Sequence, residues 1–232
     1  MSKLITKGVL SVVFGAAVLL ASFTHASGQD VIRKILKRMD VHNKNLVSLQ
    51  ADVTMVKYDS VLKVSDTFTG DTSYLPKTRK QKLYMRLNWV KPVEEHLLVI
   101  GDKYELYNPR RNQLFEGKVS QAQKKPNVNG PLGIMRMSAK EISAKYEVNF
   151  LGEEKTSSGV MAGRLQLKPK GKESYKLAEL WIDVNGMPIQ GRITERNDDT
   201  TTVTLSGIDK NATLKAASFS LEYPKNVSRP RT

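Results

Sequence analysis

Apolar residues alternate with polar ones along most of this chain, and one helical stretch precedes them. From Val31 to Leu46 apolar residues recur at 31, 32, 35, 36, 39 and 46, the spacing of one helical face. Arg33, Lys34, Lys37 and Arg38 fall largely on the other face, and Asp30 stands where an N-cap belongs. This predicts an amphipathic helix whose cationic side is either solvated surface or a contact with an anionic membrane. After Leu49 the period becomes two. Ala51, Val53 and Met55 alternate with polar neighbours, and Leu83, Met85, Leu87 and Trp89 alternate with Tyr84, Arg86 and Asn88. Further strands are predicted over 95–100, 103–107, 112–118, 146–153, 160–168, 177–184, 189–196, 200–208 and 217–222. Turn signals separate them at Gly101-Asp102, Asn108-Pro109, Asn185-Gly186 and Asp198-Asp199. Many short strands at this spacing predict a mainly β (α+β) fold, an antiparallel sheet wound into a barrel or sandwich.

Two segments break the rhythm. Residues 59–79 mix Ser, Asp, Thr, Gly, Lys and Pro76 and read as an irregular edge or loop. Residues 119–145 open polar through Lys124, Lys125, Pro126 and Asn127, then turn apolar at Leu132, Ile134, Met135 and Met137 before Ser138 opens a helix over 139–146. A methionine-rich insertion of this kind either plugs the open end of the sheet or forms a lid over varied apolar shapes. The inner face of the sheet would carry Leu83, Met85, Leu87, Trp89, Leu97, Val99, Tyr104, Leu106, Leu165, Leu167, Leu180, Ile182, Ile193, Val203 and Leu205. Periodicity does not distinguish a packed core from a cavity lined by the same residues.

Charge and cysteine usage narrow the partners. Lys3 and Lys7 precede an apolar run from Gly8 to Phe23 that ends in Thr24-His25-Ala26, the three-part pattern of a cleaved export signal over residues 1–26. The remaining single domain, 27–232, would carry 35 cationic side chains against 23 acidic ones, so the net charge falls only from +14 to +12. Outside the cytoplasmic membrane a basic chain meets lipid head groups and acidic partners before nucleic acid, and none of the latter is expected here. With no cysteine there is no disulfide, no thiolate nucleophile and no lipidated N-terminus, so a free periplasmic protein is expected.

Catalytic chemistry is sparse. The expected mature chain holds two histidines, His42 and His96, in no metal-ligand spacing, and neither a G-x-S-x-G elbow nor an H-E-x-x-H motif is present. The carboxylate doublets Glu94-Glu95, Glu153-Glu154 and Asp198-Asp199 are adjacent in sequence, and neighbours on a strand point to opposite faces, so they read as turn and edge residues. No enzyme activity and no cofactor or metal is expected.

The run Lys82-Leu83-Tyr84-Met85-Arg86-Leu87-Asn88-Trp89 through Lys91-Pro92, the stretch from His96 to Pro109 with Gly101-Asp102-Lys103-Tyr104 and Tyr107-Asn108-Pro109, and Asn112-Gln113 resemble, in order and spacing, the periplasmic outer-membrane lipoprotein carrier family, LolA-like proteins. Leu165-Gln166-Leu167-Lys168-Pro169-Lys170, Leu180-Trp181-Ile182-Asp183, Gly186-Met187-Pro188-Ile189, Asn197-Asp198-Asp199-Thr200 and the ending Phe219 to Val227 continue the likeness. The resemblance implies an unclosed antiparallel β-barrel of about 10–11 strands, capped by an N-terminal helix and an inserted lid. Its cavity would receive lipoprotein or lipid acyl chains from an inner-membrane transporter and yield them to an outer-membrane acceptor, without catalysis and as a monomer. On that reading residues 132–137 become the lid. The family's latch arginine precedes a proline; in Leu75-Pro76-Lys77-Thr78-Arg79-Lys80 the nearest is Arg79, without one. A second expectation stays open, a periplasmic sensor or adaptor whose barrel is a filled core.

Overall fold

The computed structural model describes residues 28–119 and 130–230. The export signal expected at 1–26 and the polar stretch around Lys124 to Asn127 lie outside the described residues. Helix α1 (Gly28–Asn45) buries Ile35, Leu36 and Met39, the apolar stripe of the sequence. Asp30 is not its N-cap. It sits inside the first turn, where its carboxylate accepts from Arg33 Nη2 at 2.8 Å.

Strands β1 (Leu49–Asp59), β2 (Val64–Leu75), β3 (Tyr84–Lys91), β4 (Glu95–Ile100), β5 (Lys103–Asn108) and β6 (Gln113–Lys118) form one meander. Helices α2 (Pro131–Met135) and α3 (Ala139–Lys145) follow, then a second meander of β7 (Tyr146–Lys155), β8 (Met161–Pro169), β9 (Tyr175–Asp183), β10 (Pro188–Glu195) and β11 (Thr200–Lys210). Pairing of β1 with β11, from Leu49 opposite Lys210 to Tyr58 opposite Thr200, fuses the two into an eleven-stranded antiparallel sheet. Its order runs β6-β5-β4-β3-β2-β1-β11-β10-β9-β8-β7, so β6 and β7 are edges and the barrel is unclosed. The connection between those two edges carries α2 and α3 across the concave face. An open sheet of this length exposes an apolar inner surface unless something covers it.

The caps explain how the crossing is held. Ser138 and Glu141 make a reciprocal capping box at the start of α3, and Asp40 of α1 accepts from the Ala139 amide at 2.9 Å. The amides at this helix start thus find acceptors on both their own chain and α1. At the β9–β10 turn Gly186 (φ +86°) lies against the α1 backbone, where a Cβ would come within 2.3 Å of the Arg38 carbonyl oxygen. Only glycine supplies both the left-handed backbone and the clearance.

Two sequence expectations are corrected. Residues 59–79 are no loop: β2 occupies Val64–Leu75 and pairs with β1 along its whole length. Its outer half projects beyond the core, so Thr, Ser and Asp suffice where backbone pairing alone fixes the strand. Residues 217–222 are not a strand. A 3₁₀ turn over Ala216–Ser218 and extended chain lay the buried Phe219 against Leu75 and Leu98 on the convex face. Leu83, expected in β3, precedes it.

Removing the cap hydroxyl by Ser138→Ala is expected to cost about 1 kcal/mol, read as a lower urea midpoint. Gly186→Ala is expected to cost more, because α1 must move.

Candidate functional site: a cavity beneath helix α2

Strand alternation decides which side chains face inward. On β3 these are Met85, Leu87 and Trp89, with Tyr84, Arg86 and Asn88 outside; on β1 the inner set is Val53, Met55, Lys57 and Asp59, and on β4 Glu95, Leu97 and Val99. The two halves of the concave face differ. Leu165, Leu167, Leu180 and Ile182 on β8 and β9 are at most 1% exposed and join α1 and α3 in a solid core. On the β1–β5 side Val53, Leu87, Leu97 and Val99 belong to the same buried cluster, but beside them a cavity of about 580 Å³ lies between the sheet and α2.

The position of α2 depends on Gly191 of β10. A Cβ there would lie 3.0 Å from Met135 Cγ and 3.2 Å from the Pro131 carbonyl oxygen. The helix therefore rests against bare strand backbone. From that seat Ile134 and Met135 turn into the core, at 1% and 6% exposure, while Leu132 and Arg136 line the cavity. Arg136 Nη1 reaches the Met85 sulfur at 3.8 Å, a contact between α2 and the opposite wall.

Of the residues expected to bind acyl chains, Met85, Leu87, Trp89, Leu97, Tyr104, Leu106 and Ile193 stand in the cavity wall. Leu83 and Val99 pack in the core but not in this wall, and the four β8–β9 residues stand behind it. Of the expected lid, Leu132 faces the cavity, and Met137 is partly buried against the core. Arg79 is exposed in the β2–β3 loop and has no part in the wall. The sequence reading missed Met55, Phe68, Lys57 and Arg136. Continuing the β1 alternation two residues past Met55 would have reached Lys57; Phe68 was hidden in the segment read as a loop.

The rim has a chemistry of its own. The hairpin tips bring Asp59, Asp66, Glu95, Glu195 and Asp199 to the cavity, against Lys57 and Arg136. The doublets Glu94-Glu95 and Asp198-Asp199 each send one member there, Glu95 at the start of β4 and Asp199 from the β10–β11 turn. Asp199 also fastens the mouth: its carboxylate accepts from the Ser60 amide at 2.8 Å, joining the β1–β2 and β10–β11 hairpins. That hydrogen bond holds its carboxyl below the ordinary range. Burial instead pushes Glu95 up, opposed by Lys57, Arg111 and His96, and pushes Glu195 up with the help of Asp199. Exposed Leu62 and Val64 complete the rim, so the mouth combines apolar and carboxylate groups.

On the convex face, Trp181 is covered by the guanidinium groups of Arg164 and Arg192, 5.0 and 5.2 Å from its ring. Its indole N–H donates to Glu154 at 2.7 Å, and Glu179 bonds Arg164. This ionic layer replaces a second hydrophobic layer. Trp89 lines the cavity on the opposite side of the sheet, so the two tryptophans occupy unrelated environments.

A half-open antiparallel barrel, filled on one side and hollow on the other, wrapped around a short inserted helix, defines the class of protein. The family model described as outer membrane lipoprotein carrier protein LolA matches residues 80–222, more than half of the chain, and the chain belongs to that family. Among solved structures it is similar to an uncharacterized conserved protein from Thermus thermophilus, 16% identical, covering 87% of this chain and 99% of that one with a TM-score of 0.56. It is also similar to MucB in the MucA/MucB complex of Pseudomonas aeruginosa, 12% identical, covering 83% of this chain and 61% of that one with a TM-score of 0.52. At these identities the likeness is one of fold. No curated protein sequence matches the chain.

Two outcomes follow from the geometry. Gly191→Leu is expected to push α2 off β10, seen as faster amide hydrogen exchange over residues 131–135 with little change in β9 or β11. Glu95 is held above its unfolded value of about 4.3, so its ionised form opposes folding at neutral pH and costs nothing well below that value. Glu95→Gln should therefore raise the denaturation midpoint at neutral pH, and the gain should vanish as the pH falls through the carboxylate range.

Proposed function

We propose that the protein is a periplasmic carrier that holds the acyl chains of lipoproteins, or of related lipids, in the cavity beneath α2. It would receive them from an inner-membrane transporter and yield them to an outer-membrane acceptor. The observation that carries this reading is the apolar wall of Met55, Phe68, Met85, Leu87, Trp89 and Leu97 bordering a cavity that the described side chains do not fill. A cavity of about 580 Å³ lies in the range of small-molecule sites. The family's description as outer membrane lipoprotein carriers points the same way. A filled-core adaptor is the weaker reading, because a cavity of about 580 Å³ remains between the β1–β5 wall and α2.

The mechanism is an exchange of one apolar packing for another. Each methylene entering the cavity gains about 0.8 kcal/mol. Tails longer than the free space displace Leu132 and shift α2 from the wall, and the packing given up by the helix offsets part of the gain. The differential between these two states sets how readily cargo is released. Helix α2 rests on Gly191 with Ile134 and Met135 buried, so it works as a hinged cover rather than a loose loop. No step requires a bond to be made or broken.

Displacement of a fluorescent fatty acid, with native mass spectrometry of the purified protein, tests this. One acyl ligand per chain is expected, and Leu87→Asp should weaken it by at least about tenfold, since a carboxylate would be buried against the tail. Absence of any acyl ligand by both methods, or undiminished binding by the variant, would overturn the reading.

A further inference from the structure

At the cavity Lys57 and Arg136 stand against five carboxylates, so the chain's positive charge is not concentrated there. A second concavity of about 590 Å³ lies beside α1, against the β9–β10 turn and β7. Strand β10 (Pro188–Glu195) covers roughly 23 Å at about 3.3 Å per residue, with Asn185 in the turn before it and Glu195 at the mouth, so this groove and the cavity mouth are at opposite ends of the sheet. The mouth is rich in carboxylates; the groove carries Lys34, Lys37 and Arg38, with Glu153 its one acidic residue among the described residues. No hydrogen bond or ion pair occupies those three cations among the described residues.

The arrangement differs from a plain solvated helix face. On α1 the positions 31, 34, 35, 38 and 41 follow helical spacing, so Lys34 and Arg38 lie in the same stripe as Val31, Ile35 and Val41. Val41 is 52% exposed, and Val184, across the groove on the β9–β10 turn, is 72% exposed. Apolar lips and unpaired cations thus border one depression. A bilayer is a poor match: it is flat, and Leu36 and Met39 are already buried in the core, which leaves too little apolar area on α1 to enter lipid. A polypeptide fits the concave shape, with apolar side chains between Val41 and Val184 and carboxylates on the cations.

We propose that this groove docks an acidic, partly apolar peptide segment of a partner protein. Because it lies at the far end from the mouth, a docked partner leaves the cavity accessible. The site is independent of what the cavity holds.

A short fluorescein-labelled peptide alternating glutamate and leucine, followed by fluorescence polarisation on the purified protein, tests the proposal. Binding should weaken at least about tenfold in the triple variant Lys34→Glu/Lys37→Glu/Arg38→Glu and in Val184→Asp. Fatty-acid binding should be unchanged in both, which separates this outcome from any failure of the carrier reading. Three results would overturn the proposal: undiminished peptide binding by either variant, equal binding of an oligoglutamate lacking leucine, or no peptide binding alongside phosphatidylglycerol-vesicle binding that the same variants abolish.

Discussion

Met135 and the Pro131 carbonyl lie so close to Gly191 that no side chain fits between helix and strand, and much of the molecule depends on that approach. The barrel does not close, so its concave face needs a cover, and α2 serves only because β10 gives it a flat seat. With the helix there, Ile134 and Met135 complete the core over β9–β11, while Leu132 and Arg136 reach only to the margin of the β1–β5 side. The cavity is what this short helix leaves uncovered. Capping by Ser138 and the bond from Ala139 to Asp40 fix the other end of the crossing to α1.

Polar groups divide the rest of the work. Convex-face Trp181 lies under two guanidinium groups that are themselves paired with Glu154 and Glu179, and the final segment lays Phe219 on Leu75 and Leu98. An ionic layer over Trp181 and a small second apolar cluster around Phe219 thus shield the outside of the sheet. At the mouth, the Asp199 carboxylate holds two hairpins together, which keeps the rim open as a defined edge. Glu95 and Glu195 stand there with their carboxyls pushed up by burial.

Much of this was legible in the sequence because strands and helices write their period into it. The β3 alternation from Met85 to Trp89, the helical spacing of Ile35, Leu36 and Met39, and the turn at Asn185-Gly186 each specify a face or a bend by local chemistry. What was not legible depended on tertiary position. Strand β2 is polar because it protrudes beyond the core, so its pattern resembled a loop and Phe68 went unseen. Leu165 and Leu87 have the same alternation and are both buried, yet one is enclosed by α1 and α3 and the other borders the cavity; only the placement of α2 separates them. Phe219 looked like a strand residue because an extended chain packed on a sheet shares that composition. The missed Lys57 and Arg136 are cations at an apolar wall, where periodicity assigns no charge.

Everything proposed for the cavity requires that an acyl chain occupy the space in front of Trp89. Nitroxide-labelled stearate quenches tryptophan only at short range, and the chain has two tryptophans, one in the cavity wall and one beneath arginines on the convex face. Saturable quenching is expected, persisting in Trp181→Phe and disappearing in Trp89→Phe. Quenching carried by Trp181, or none in the unmodified protein, would contradict acyl-chain binding at this wall.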